Sequence, residues 1–209
     1  AVIMVVVTTI VTMYLIGGND RKTISAILGT TLGVLISGLS AWIFGLAADI
    51  DGYNVSNIET LVYLGQNTQI KIGGLLFAGI LIASLGAVMD VAMSVSSAIA
   101  EIHDKSKTLG MKELFISGMH VGKDMMGTMS NTLILAFAGG SISVLVLDYA
   151  YNLPLRQIIN SYSIGIEIMQ GIAGSIGVIL TVPTTAFMAA LLYGAKRNIT
   201  VHSSQEDTQ

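Results

Sequence analysis

Cysteine is absent from this 209-residue chain, which excludes disulfides and thiol chemistry. Charge is scarce as well. Only 11% of the residues are charged, against about 25% in an ordinary soluble domain, so a water-soluble globule is a poor description. The net charge of −3 says little, because most charges fall between apolar segments. No basic surface suited to nucleic acid is visible. The usual catalytic signatures are missing too: no HExxH, no CxxC, no phosphate-cradling glycine loop and no nucleophile beside a base. Nor is there a second membrane acid in a GxGD context, as aspartyl intramembrane proteolysis needs. No enzymatic activity, cofactor or metal site is therefore expected.

What the chain has in quantity is apolar and small residues. Hydrophobic residues make up 53% and glycines number 23, with a mean hydropathy of +0.75. This is the composition of packed transmembrane helices. The expected class is an all-α, polytopic helix bundle whose solvent is the lipid bilayer.

The longest apolar run is residues 72–103, IGGLLFAGILIASLGAVMDVAMSVSSAIAEIH. As a helix it reaches about 48 Å, beyond the roughly 30 Å hydrocarbon layer, so one end must tilt or protrude. Asp90 interrupts it, toward the end that carries Glu101 and His103. Gly86, Asp90, Ser94, Ser97 and Glu101 recur at steps of four, four, three and four. That spacing places them on one face of the helix. An intramembrane acid is costly and marks a functional site by default. The expected chemistry is a proton or cation relay, with the carboxyl alternating between ionised and protonated forms and the serines beside it. The structural alternative is a protonated Asp90 that hydrogen-bonds a neighbouring helix, through Thr128 or Asn131.

Four further spans are expected. Residues 1–16 form a first, short one, near the lower limit of about 17 residues. It begins at Ala1 with no charged leader, so it is not read as a signal peptide, and an upstream continuation is expected. Residues 23–48 form the second, where Gly29 and Gly33 make a GxxxG suited to close helix packing. A polar connection at 49–71 holds Asn54-Val55-Ser56, a chance-frequent sequon given no weight, and a short amphipathic stretch. Residues 112–123 read as an interfacial helix with Leu114, Phe115, Met119 and Val121 on its apolar side. The fourth span is 124–147, with Asp124 as a helix cap and Asp124, Thr128 and Asn131 on one face, where Thr128 and Asn131 are expected to line the opposite wall of the Asp90 relay. A connection at 148–167 includes Arg156 and Glu167, and the fifth span is 168–194. Gly171, Gly174 and Gly177 pack one side of that span, and Pro183 is expected to kink it or break its hydrogen-bond register. The polar tail 198–209 is expected to be disordered. His120 with Asp124, and the methionines around 119–129, are read as a solvated rim and gap-filling packing rather than metal ligands.

With five spans, eight of the ten Lys and Arg fall on one side: Arg21, Lys22, Lys105, Lys107, Lys112, Lys123, Lys196 and Arg197. The positive-inside rule makes that side cytoplasmic, with the N-terminus outside and the C-terminus inside.

The blocks LGAVMDVAMSVSSAIAEI (85–102), SGMHVGKDMMGTMSNTLILAFAGG (117–140) and GIAGSIGVILTVPTTAF (171–187) resemble the YibE/F family of bacterial multipass membrane proteins. The resemblance covers most of residues 23–194 and implies a bacterial inner-membrane protein. A remoter likeness is to one half of the membrane domain of the SecD/SecF and RND transporters. It implies a coupling carboxylate at Asp90 and a permease-like or ion-coupled transport component. The chain departs from that group in having half the helices and no large extracytoplasmic domain. Dimerisation, or pairing with another membrane subunit, would be needed to complete such an assembly. The alternative function is a non-transporting scaffold or assembly subunit.

Overall fold

The computed structural model describes residues 2–48 and 72–194. The described residues form seven helices: α1 (Val2–Gly17), α2 (Arg21–Ala47), α3 (Ile72–Lys105), α4 (Met111–Gly140), α5 (Ile142–Ala150), α6 (Leu155–Ile159) and α7 (Tyr162–Gly194). No strand occurs among them. Four stretches are long and apolar enough to cross a membrane: Arg21–Ala47, Phe77–Lys105, Met111–Ala150 and Tyr162–Gly194. The shorter α1 is apolar but falls below that length. The expected amphipathic stretch within 49–71 and the expected disordered tail lie outside the described residues.

α3 and α7 form the centre of the bundle. Each packs against α2 and α4, while α1 lies along α2 and α3. Val88, Val91, Val95 and Ile99 of α3 meet Val178, Val182 and Ala186 of α7 in one buried cluster. The glycines explain how the helices come so close. A Cβ at Gly29 would overlap Thr185 Oγ1, and one at Gly33 would overlap Thr181 Oγ1. Gly177 makes room for Ser37, and Gly174 for Leu133. Gly171 has only Phe137 and Ile134 near, at 3.8 and 4.0 Å. Gly86 breaks the pattern expected of a packing glycine. Nothing lies within 4 Å of the position its Cβ would take.

Buried hydroxyls run along the same seam. Ser96 donates to the Lys22 carbonyl, and Ser25 lies within hydrogen-bond reach of both. Farther in, Ser37 donates to Ser84 at 3.2 Å, and Ser84 donates to the Ile80 carbonyl at 3.0 Å.

Several boundaries move from where the sequence reading puts them. α4 runs unbroken through Lys123 and Asp124, so there is no separate interfacial helix at 112–123 and Asp124 caps nothing. Gly118 and Gly122 do not interrupt it, because they are packing positions against Ile99, Ala186 and Val182. Its true start is capped at Gly110, whose N–H donates to Glu113 Oε2 at 2.8 Å. α4 gives way to α5 at Ser141. α7 begins at Tyr162, so Glu167 lies inside a helix rather than in a connection, and the helix continues through Pro183 to Gly194.

One end of the bundle gathers the heads of α2 and α4 and the ends of α3 and α7. Arg21 Nη1 donates to the Leu192 carbonyl at 2.8 Å, where a cation meets the negative end of the α7 dipole. Gly194 packs on Met111, and the His103 and Tyr193 rings lie 5.0 Å apart. Arg21, Lys22, Lys105 and Lys112 therefore belong to one end, whereas Lys123, twelve residues past Met111, lies well inside α4.

Candidate functional site

α3 has two unlike faces. Its inner face is apolar or hydrogen-bonded and fully buried. Its outer face carries Gly86, Asp90, Ser94 and Glu101, all exposed, and Ser97, half-buried. These residues thus lie on one stripe, and the bundle turns that stripe outward. Asp90 has no hydrogen-bond or ion-pair partner among the described residues. It lies six residues deeper than Ser96, which marks the head of α2 through its bond to Lys22. That is about 9 Å at 1.5 Å per residue.

Depth relates the stripe to α4. Ile99 meets Gly118, and Ser84 and Leu133 meet at Gly174. The helices are antiparallel, so interpolation puts Asp90 within about one turn of Asp124 and Thr128, and Asn131 near the level of Gly86. Asp124, Thr128 and Asn131 are all exposed. No hydrogen bond joins them to Asp90. Thr128 instead donates within its own helix, to the Met125 carbonyl at 3.1 Å. No Asp90–Thr128 or Asp90–Asn131 hydrogen bond occurs among the described residues. The exposed α3 stripe and the exposed polar residues of α4 share a depth.

The stripe ends at a polar cavity on the cation-bearing end. The cavity measures about 470 Å³ and is lined by Asp20, Arg21, Lys22, Ser97, Ala100, Glu101, Asp104 and Tyr193. Glu101 pairs with Lys105 at 2.9 Å. No cluster of three His, Asp or Glu suited to a metal ion occurs among the described residues.

The sequence model of the YibE/F-like protein family matches residues 1–195. The chain belongs to that family. No curated protein and no solved structure matches it. Membership and the four apolar helices together make this YibE/F-like chain a multipass membrane protein.

One acid of this YibE/F-like protein escapes the sequence reading. Glu167 lies in an apolar groove of about 310 Å³ between α4, α5 and α7, beside Phe137, Ser141, Leu145 and Ile168. Asn160, Ser161, Ser163 and Gly165 resemble loop residues, yet α7 starts among them at Tyr162. The missed signal is Ser161, whose Oγ accepts the Ile164 N–H at 3.4 Å as a helix N-cap does.

Proposed function

We propose that this protein is one subunit of a bacterial inner-membrane assembly in which a second copy covers the Asp90 stripe, and that Asp90 there serves as a proton or cation relay. The observation that carries the reading is the exposed, unpartnered Asp90 within an apolar span. An acid facing acyl chains costs several kcal/mol, so a stable protein needs something polar over it. A second copy brings suitable groups on the same face: the hydroxyls of Ser94, Ser97 and Thr128 and the amide of Asn131. Such a self-complementary patch suits a two-fold interface. The cation-bearing end is assigned to the cytoplasm by the positive-inside rule.

The second reading is a non-transporting scaffold, in which the same stripe only joins subunits. It is favoured by the absence, among the described residues, of any hydrogen bond joining Asp90 to α4. Reconstitution into liposomes separates the two. The relay reading expects Asp90→Asn to preserve expression and assembly while abolishing proton uptake driven by an imposed gradient. If Asp90→Asn behaves as wild type and only Asp90→Leu fails, by losing assembly, the scaffold reading holds and the relay is wrong.

A further inference from the structure

We infer that the polar cavity at the cation-bearing end is the aqueous entrance through which protons reach Asp90, and that Asp90 has no matching polar approach along α3 from the opposite end. The inference rests on the relay reading of Asp90 and adds its route and direction.

Ser97 belongs to both features. It lines the cavity with Glu101 and Asp20, and it lies on the outer face of α3 with Ser94 and Asp90. The steps from 97 to 94 to 90 are three and four residues, each about one helical turn. Side chains at this interval stand about 5–6 Å apart, so the serines, each able to donate and accept, would hand a proton inward through water bridging them. A metal ion would instead need several oxygen ligands gathered around it. The cavity's charge does not oppose entry. Three carboxylates, Asp20, Glu101 and Asp104, line it beside two cations, Arg21 and Lys22.

The other side of Asp90 is different. Between Phe77 and Met89 the only side chain with a polar oxygen is that of Ser84. It is buried on the inner face and bonded to Ser37 and Ile80. Outward, Gly79, Ile82, Ala83 and Gly86 offer no side-chain donor or acceptor. On α3 itself the stripe is thus polar on the cation-bearing side of Asp90 and apolar beyond it, the polar side chain near the level of Gly86 being Asn131 of α4.

The absence of native cysteine makes this directly measurable. Single cysteines at Lys107, Ser97, Ser94, Gly86 and Leu35 are labelled in the full-length protein, in membranes, with a charged, membrane-impermeant thiol reagent. The reagent is applied to inside-out vesicles and, separately, to intact cells. Lys107→Cys reports free access at the cation-bearing end, and Leu35→Cys an exposed apolar site. Apolar surroundings suppress the reactive thiolate, so Ser97→Cys should react at least about tenfold faster than Leu35→Cys. Ser94→Cys should be intermediate and Gly86→Cys as slow as Leu35→Cys. Ser97→Cys should also be labelled from the same side as Lys107→Cys. Reaction of Ser97→Cys no faster than Leu35→Cys, or only from the opposite side, overturns the entrance. So does rapid labelling of Gly86→Cys from the opposite side. Loss of proton uptake in Asp90→Asn is scored separately, so a wrong entrance and a wrong relay give different results.

Discussion

The two faces of α3 use similar residues to opposite ends. Inward, Ser84 and Ser96 are buried and bonded to α2, to Ser37 and to the Lys22 carbonyl. Outward, Asp90 and Ser94 are exposed, and Asp90 has no partner. Gly33 of α2 fits against Thr181, whereas Gly86 on the outer stripe touches nothing. Small and polar residues in a membrane helix therefore do not have one meaning. Where a second helix reaches them they are packing. Where none does, they define a face that the single chain leaves open, and it is this face that holds the acid.

The largest effect should come from filling the packed side. Gly33→Leu places a side chain where Thr181 already lies, and overpacking of this kind costs about 1–3 kcal/mol or more. Thermal unfolding in detergent should show a marked loss of stability. Gly33→Ala should be relieved in part by Thr181→Ala. An equal penalty for Gly33→Ala in both backgrounds would show that the two helices do not meet there. Gly86→Ala, on the open side, should not lower the unfolding midpoint, since a Cβ there meets nothing and Ala favours the helix.

Next comes the acid itself. Asp90→Asn should lower proton uptake by proteoliposomes at least about tenfold, equivalent to 1.4 kcal/mol in the barrier, with no change in unfolding temperature. Asp90→Leu should alter the oligomeric state seen by size-exclusion chromatography. A smaller loss is expected at the inner hydroxyls. Ser84→Ala should cost about 0.6 kcal/mol, the average for hydrogen bonds between membrane helices, measured by reversible unfolding. The smallest belongs to the water-exposed pair. Lys105→Ala removes the contact to Glu101 and should shift stability by no more than about 0.5 kcal/mol. A larger shift would place that end of α3 out of water.

Much of this contrast is legible in residue spacing. GxxxG at Gly29 and Gly33 marks a close helix approach, and the recurrence from Gly86 to Glu101 defines the stripe. Which face turns inward is not fully legible, because the buried face of α3 also carries small and polar residues, Ser84, Ala92 and Ser96. Only the neighbours decide it: α2 supplies partners to Ser84 and Ser96 and none to Asp90. The start of α4 is obscured because Lys123-Asp124 looks like a boundary in a hydropathy pattern. The helix runs through it, since neither residue breaks hydrogen bonding and Gly118 and Gly122 are held by α3 and α7. Glu167 is hidden by loop-like neighbours whose serine is in fact a cap.

The account depends on a second copy lying over the outer face of α3. With no native thiols to interfere, cross-linking of Gly86→Cys and Ser94→Cys in native membranes by a short bifunctional thiol reagent tests this directly. The prediction is a covalent dimer from these two positions and none from Leu35→Cys on α2. If all three remain monomeric, or Leu35→Cys links as readily as the stripe, Asp90 is not covered by its own kind and the proposed relay loses its setting.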